Sequence, residues 1–217
     1  MLLPPVASSI GSSVDRLFYV ILGITGFFFF LVEGLLLAFI LLYRQRPGRR
    51  AYYTHGHTGA EIVWTVIPAL ILIGILFSSQ RLWVAIREQV PANPLEVEIV
   101  AEQFAWNIRY QGPDRQFGTA DDVRTLNQLH LPLRQPVLIW LKSKDVIHSF
   151  FVPAFRIKQD AVPGMTTHVW VEATRPGSYD LVCAELCGLG HYRMRGYVTV
   201  EEPDKFQTWL KETKANE

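Results

Sequence analysis

The chain has 217 residues, a formal net charge of +1, and 49% hydrophobic against 19% charged residues. This length suggests one or two domains, and the near-zero charge gives no signal for a nucleic-acid partner or a strongly acidic one. No Cys-x-x-Cys-His motif occurs, which excludes a c-type haem carried by the chain itself.

The apolar excess lies in the first third of the chain. Residues 1–16 lack the positively charged start of a secretory signal peptide, so we expect an external N-terminal tail. The run 17–43 is interrupted only by Glu33 and exceeds the roughly 20 apolar residues that cross a bilayer. Because a carboxylate is costly in lipid, we expect Glu33 to face a protein partner.

A basic loop, RQRPGRR, follows this run and indicates that the loop is cytoplasmic. A second span is expected over 61–84; it contains Pro68, and Trp64 and Trp83 lie near its ends as interfacial anchors do. Residues 17–90 therefore predict a transmembrane hairpin with both chain ends outside. We expect a multi-pass protein of the cell inner membrane, with the remainder of the chain on the periplasmic face.

After the hairpin, apolar residues recur with a period of two, as in the stretch LEVEIVAE. Short alternating segments separated by Gly and Pro turns predict a β-sandwich or barrel over 94–217. The segment 203–211 places Phe206 and Trp209 on one face and predicts a short docking helix. The expected fold class is an α+β membrane protein, with an N-terminal two-helix transmembrane hairpin followed by an all-β domain.

The stretch CAELCGLGHYRM, from Cys183 to Met194, holds the only two cysteines of the chain. Cys187 lies four positions after Cys183, His191 four after Cys187 and Met194 three after His191. Thiolate, imidazole and thioether are the ligands that select copper. Two thiolates allow two metal ions to be bridged, and a second histidine is then needed. His148, in the apolar segment HSFFVP, is the best candidate and lies where the first histidine of a Greek-key cupredoxin is expected.

A disulfide and a zinc site are two other interpretations of the cysteine pair. Two cysteines in a domain outside the cytoplasm often form a disulfide. Zinc accepts cysteine and histidine but makes little use of the thioether of Met194. The ordered spacing of Cys, Cys, His and Met favours copper over both.

Over nearly its whole length the sequence resembles subunit II of the haem–copper cytochrome c oxidases, which carries a dinuclear copper centre called CuA. The motifs that carry the resemblance are CAELCGLGHYRM, HSFFVP, KQDAVPGM and EIVWTVIP. The resemblance implies a cupredoxin domain with two coppers. Its implied metal ligands are His148, Cys183, Cys187 and Met194 for one copper, and Cys183, Cys187, His191 and the backbone carbonyl of Glu185 for the other.

The resemblance also implies a function and further sites. Electrons from cytochrome c or a dedicated haem donor pass through the copper centre to haem in subunit I, where oxygen is reduced to water with proton pumping. The carboxylate of Glu185 is implied as a ligand of a magnesium ion shared with subunit I. Glu61 is implied at the entrance of a proton-uptake path, although it also reads as a helix-start carboxylate. Asp160 resembles an interface carboxylate, or is simply a turn residue.

The sequence departs from the family where the electron is expected to enter. Many members carry Trp-Tyr-Trp there, whereas this chain has Phe104, Ala105 and Trp106. The acidic pair before the first ligand histidine is here Lys144 and Asp145. Phe104 and Trp106 are the expected residues of electron entry. Because acidic rims steer basic cytochromes c, we expect a donor that is not strongly basic and that contacts Phe104.

Two alternative functions stay open at this point. A membrane-tethered copper-binding protein needs the copper ligands but neither Glu185 nor Glu61. A quinol oxidase subunit II resembles this chain but lacks the copper ligands, and all of them are present here.

Overall fold

The computed structural model describes residues 3–215. The chain divides into two compact units. One unit is Asp15–Leu82, and the other combines the residues before Asp15 with those after Leu82. Each unit has its own architecture and is described separately.

Two long helices make up most of the first unit. α1 spans Gly11–Tyr43 and α2 spans Thr58–Arg87. Both are long and apolar enough to cross a membrane, and their apolar side chains are exposed rather than packed in a core. Exposed apolar surface on this scale is the pattern of helices solvated by lipid. The predicted pair of transmembrane helices is confirmed.

A groove of about 620 Å³ is lined by side chains from both helices. Its walls are almost entirely apolar, and they include Pro68 of α2 and Glu33 of α1. Glu33 lies ten positions before the end of α1 at Tyr43, and Pro68 lies ten positions after the start of α2 at Thr58. The two residues are therefore at the same depth, about 15 Å along each helix at 1.5 Å per residue.

The second unit contains ten short strands and one further helix. Their bounds are β1 Leu95–Glu102, β2 Ala105–Tyr110, β3 Val123–Leu126, β4 Gln128–Pro132, β5 Pro136–Ser143, β6 His148–Val152, β7 Ile157–Ala161, β8 Thr167–Glu172, β9 Gly177–Cys183, β10 Arg195–Glu201 and α3 Pro203–Ala215.

The strands form two five-stranded sheets. The order is β3-β2-β1-β5-β8 in one and β4-β10-β9-β6-β7 in the other. Most neighbours are antiparallel, whereas β1 pairs with β5 and β4 with β10 in parallel. Side chains from both sheets fill one buried core between them, with Trp106, Tyr110 and Phe150 among its largest members. The predicted β-sandwich is confirmed.

The period-two pattern of β1 accounts for its inner face but not for Glu98. Val97, Ile99 and Ala101 are fully buried, as the alternation requires. Glu98 is on the opposite face and is nevertheless only 3% exposed. Its carboxylate accepts a hydrogen bond from Arg109 at 2.9 Å and another from Lys142. Two cationic donors offset the cost of removing this charge from water.

The N-terminal tail packs into the β-sandwich. Ser8 forms a bridge with Ala173 beyond the end of β8, and its hydroxyl donates to the carbonyl of Phe155 at 2.7 Å. The backbone of Ala7 accepts from the N–H of Thr174 at 2.9 Å. The tail was predicted only to lie outside the membrane, and its packing was not foreseen.

Helix α3 closes the sandwich. Phe206 is buried, and Trp209 stacks on the imidazole of His130 with ring centroids 3.8 Å apart. Burial lowers the pKa of His130, although the nearby Glu201 acts in the opposite direction. The neutral imidazole is thus favoured, and it lies flat against the indole. The helix continues to Ala215, four residues beyond the predicted segment.

Candidate metal centre

The register of two strands brings the predicted ligands together. His148 is the first residue of β6, and Cys183 is the last residue of β9. The strands pair so that Phe150 lies opposite Cys183. The loop after β9 then carries Cys187 back toward the same point before β10 begins.

The ligand atoms form a compact chain of contacts. The Nδ1 atom of His148 lies 3.9 Å from the Sγ of Cys183, which lies 3.8 Å from the Sγ of Cys187. The Cys187 sulfur is in turn 3.5 Å from the Nδ1 of His191 and 3.8 Å from the Sδ of Met194. Each cysteine therefore has one histidine beside it.

The backbone carbonyl of Glu185 belongs to the same cluster. Its oxygen lies 3.2 Å from the Sγ of Cys183, whereas the residue itself is exposed. The backbone carbonyl of Glu185 therefore faces the cysteines, whereas its side chain is on the exposed side of the loop.

The cysteines are free thiols in a buried setting. Their sulfurs are separated by far more than the roughly 2.05 Å of a disulfide bond. His148 is fully buried, and Cys187 and Met194 are almost so. Burial, followed by the neighbouring Cys183, raises the pKa of the Cys187 thiol to about 11. A metal ion must therefore displace a proton from this thiol when it binds.

The soft donor set fits copper. His148, Cys183 and Cys187 present ligand atoms within 4.8 Å of one another. Neutral imidazole, thiolate and thioether together match copper better than zinc or a hard cation. The two sulfurs lie side by side between the two imidazoles.

His148 is held from behind by a carboxylate. Its Nε2 atom lies 2.8 Å from the Oδ1 of Asp145. The Oδ2 of Asp145 accepts from the backbone N–H of Gln103 at 2.7 Å, and the side-chain amide of Gln103 donates to the carbonyl of Cys187 at 2.5 Å. Burial raises the pKa of Asp145, but hydrogen bonds from His148 and from backbone N–H groups outweigh it and lower that pKa overall.

The two aromatic residues predicted near the point where the electron enters lie in different environments. Trp106 is fully buried, and its ring centroid is 6.3 Å from that of His148. Phe104 is partly exposed, and its ring packs against the loop from Ala184 to Met194, which we call the copper loop. A Cβ atom added to Gly190 would lie 2.4 Å from the Phe104 ring, and one added to Gly188 would lie 3.2 Å from it. Only glycine allows such a close approach at Gly190.

The remaining predicted sites lie away from the ligand cluster or at its edge. Glu61 is in the first turn of α2, in the other unit, and its backbone N–H donates to the carbonyl of His57 at 3.1 Å. Asp160 is on β7, and its carboxylate accepts from the hydroxyl of Ser149 at 2.6 Å. Ser149 is the residue after His148, so Asp160 is one side chain removed from a ligand.

Two positions near the ligands were not predicted from the sequence. Asp145 was predicted only as a rim charge, and no role was predicted for Gln103. A signal existed for Asp145, since it precedes His148 by three residues in a tight turn. None existed for Gln103, because its contact with Cys187 joins positions 84 residues apart.

Comparisons with known proteins agree with the fold and with the ligand cluster. Residues 1–82 match the family described as cytochrome C oxidase subunit II, transmembrane domain, and residues 99–201 match its periplasmic domain. The alternative cytochrome c oxidase subunit 2 of Bradyrhizobium diazoefficiens is 34% identical, over 97% of this chain and 83% of the relative. The cytochrome c oxidase subunit 2 of Thermostichus vulcanus is 32% identical, over 99% of this chain and 79% of the relative.

Two solved structures match the β unit. The periplasmic domain of cytochrome oxidase subunit II from Bradyrhizobium japonicum is 26% identical with a TM-score of 0.53, covering 59% of this chain and 99% of that one. The second structure is that of a mixed disulfide between a thioredoxin-like protein and subunit II of a cytochrome c oxidase. The matched chain is 27% identical with a TM-score of 0.50, covering 59% of this chain and 97% of that one. The predicted cupredoxin domain on the periplasmic side is thereby confirmed. The chain belongs to the cytochrome c oxidase subunit II family and is the electron-entry subunit of a terminal respiratory oxidase.

Proposed function

We propose that Cys183 and Cys187 would together hold two copper ions, and that the chain thereby passes single electrons from an outside donor to haem in subunit I. The observation that carries the proposal is the arrangement of the sulfurs, which lie 3.8 Å apart with one imidazole beside each. Copper supplies the redox chemistry when bound. The chain's own residues hold the ligands in place, exclude water and orient the imidazoles.

The contacts support a division of the ligands between two ions. His148 is beside Cys183 and Met194 is beside Cys187, and these four side chains would hold one ion. His191 and the carbonyl of Glu185, together with the same two sulfurs, would hold the other. Buried ligands on a tightly bonded loop move little, which favours electron transfer with small reorganisation.

The same burial argues against a labile copper carrier. A carrier must exchange its metal with partners, which requires accessible ligands. Here His148 is fully buried and Met194 is 2% exposed. The quinol oxidase alternative is disfavoured by the complete set of copper ligands.

We propose that the protein resides in the cell inner membrane, and that the carboxylate of Glu185 binds magnesium where the β unit contacts subunit I. The support is that its carbonyl faces the sulfurs while the residue is exposed on the other side. Magnesium binds carboxylate oxygens. It usually keeps several water ligands, so one or two carboxylates from the protein are enough to hold it. Asp160, through Ser149, would lie at the same contact.

We also propose that the membrane groove with Glu33 receives a helix of subunit I. The groove is apolar apart from this carboxylate and Thr25, whose hydroxyl is bonded to the carbonyl of Ile21. Lipid tails have no donor to offer the carboxylate. A helix that presents a hydrogen-bond donor at the depth of Pro68 would satisfy Glu33 and fill the groove.

Glu61 is proposed as the entrance of a proton-uptake path into subunit I. It lies in the first turn of α2, after the basic cytoplasmic loop, and its side chain is exposed. A carboxylate there attracts protons and relays them to groups in the partner.

The donor is proposed to bind an apolar rim formed by Phe104, Leu186 and Leu189. Leu189 is 98% exposed and Leu186 is 77% exposed, and Leu189 lies between the two glycines beneath Phe104. Among the charges nearby, Lys144 is paired with Glu102 at 2.5 Å within the chain. Such a pair of opposite charges offers little net attraction to a basic cytochrome c. A dedicated haem protein with an apolar contact face fits this rim better.

The electron path from this rim is proposed to begin at Phe104. Its ring packs against Gly188 and Gly190, which lie between the ligands Cys187 and His191, and the residue is also partly exposed to solvent. Trp106 lies beneath His148 in the core and would act as part of the packing around the site.

A thioredoxin-like reductant is a further proposed partner. The relative that forms a mixed disulfide with such a protein has the same domain fold. The free sulfurs of Cys183 and Cys187 need only a modest approach to form a disulfide, which would block copper binding. A reductant would keep them as thiols until the metal arrives.

The first prediction concerns the number of metal ions. The full chain, purified in detergent and loaded with copper, should give an electron paramagnetic resonance spectrum of one unpaired electron split by two equivalent copper nuclei. Cys187→Ser should abolish this signal because a single thiolate does not bridge as two do. Met165→Leu, which changes an exposed thioether outside the site, should leave it intact. A four-line spectrum from a single copper in the unmodified chain would refute the dinuclear centre.

The second prediction concerns Glu61. In the assembled oxidase, Glu61→Ala should slow steady-state turnover severalfold, because proton delivery from the cytoplasmic side is impaired. The copper spectrum should not change. Glu88→Ala, which removes a carboxylate just beyond the other end of the same helix, is the matched control. Equal rates for Glu61→Ala and the unmodified enzyme across the pH range would leave Glu61 as a helix-start residue only.

The third prediction concerns the donor. Reduction of the copper centre in the assembled oxidase by a strongly basic cytochrome c should be slow and nearly independent of ionic strength, because the Lys144–Glu102 pair presents no net negative charge to a basic partner. Phe104→Ala should slow it further with the copper spectrum unchanged. Leu126→Ala, on an exposed apolar residue of β3, should have no effect. A fast reduction that falls steeply with added salt contradicts the proposal.

A further inference from the structure

We propose that Gln103 and Asp145 form a hydrogen-bonded bridge that positions both sides of the copper site. Asp145 orients the imidazole of His148, and Gln103 fixes the loop at Cys187. The inference rests on the proposed copper function, and it assigns to the turn between β1 and β2 a role in holding the metal centre.

Among the ligands, His148 is the one that Asp145 contacts directly. Its Oδ1 lies 2.8 Å from the Nε2 of His148 and also accepts from the backbone N–H of Val146 at 2.6 Å. The Nε2 atom must carry the proton to donate to a carboxylate. The lone pair is then on Nδ1, which is the atom that lies toward Cys183. Asp145 therefore selects the tautomer and the ring orientation that a metal ligand needs.

Gln103 joins this arrangement to the other side of the site. Its backbone N–H donates to the Oδ2 of Asp145 at 2.7 Å, and its side-chain amide donates to the carbonyl of Cys187 at 2.5 Å. One residue thus connects the group behind His148 with the backbone of a cysteine ligand. His148 and Cys187 come from different parts of the chain, and this bridge fixes their relative position.

Packing in the same turn supports the bridge. Gly188, the residue after Cys187, lies under the Gln103 amide, and a Cβ atom there would be 2.7 Å from its Nε2. Gly190 lies under the neighbouring Phe104. The two residues of the turn therefore press on the two glycines of the copper loop. A larger residue at either glycine would displace the turn and break the bridge.

The bridge also limits how far the Asp145 carboxylate can attract a docking partner. Its two oxygens accept hydrogen bonds from His148, Val146 and Gln103. A carboxylate engaged in this way acts on the centre and contributes little to the attraction of a docking partner. A negative charge bonded to the imidazole raises its basicity and stabilises the more positive, oxidised state of the site.

The test uses the full chain in detergent, loaded with copper. Asp145→Asn keeps the size of the side chain but loses the charge and one acceptor oxygen. Gln103→Met keeps the length of the side chain but removes the donor to Cys187. Each should lower copper affinity by about 10- to 100-fold, as loss of an outer partner of a metal ligand typically does. Asp145→Asn should also raise the reduction potential and change the histidine nitrogen couplings in the magnetic resonance spectrum.

Glu102→Gln is the matched control. It removes a negative charge next to the turn, on a residue whose partner is Lys144 and not a copper ligand. It should leave affinity, potential and nitrogen couplings as in the unmodified chain. In a double-mutant cycle, Asp145→Asn and Gln103→Met should be less than additive in copper affinity, since both break one bridge.

Two results would overturn the inference. One is unchanged potential and couplings in Asp145→Asn, and the other is an equal shift in Glu102→Gln, which would make the effect one of general charge. Failure of the proposed function is distinguishable, because it would appear as a missing dinuclear signal in the unmodified chain.

Discussion

The pairing of β6 with β9 is the interaction on which the copper site depends. His148 and Cys183 are 35 positions apart in the chain, and only this register brings them into contact. The core of the sandwich fixes the register, because a slip by one residue would turn Phe150 from the core to the surface. The remaining ligands then need only a short loop to return to the same point. Sheet packing and metal binding are therefore one constraint.

Several charges of the β unit near the copper site are paired within the chain. Glu98 is buried against Arg109 and Lys142, Glu102 is bound to Lys144, and Asp145 is bound to His148. Leu186 and Leu189 are exposed on the neighbouring loop. The same pairs that stabilise the strands thus influence which partners the site attracts. This links the fold to the proposed choice of electron donor.

Local patterns predicted the parts of the structure that local physics decides. The two membrane helices follow from uninterrupted apolar runs, the sandwich from alternation, and the ligand cluster from the spacing around Cys183. Contacts between distant positions were not predictable in this way. The burial of Glu98 requires two cations from other strands, the packing of Ser8 requires a free sheet edge, and the contact of Gln103 with Cys187 requires the folded turn.

X-ray absorption at the copper edge, on the full chain in its oxidised and reduced forms, tests the central claim most directly. The claim is that a buried and rigidly bonded ligand set holds two bridged copper ions with little change between redox states. Copper–copper scattering should be present in both forms, and copper–sulfur distances should agree within the error of the measurement. Absence of a copper–copper distance, or a clear lengthening of the copper–sulfur bonds on reduction, would contradict the account.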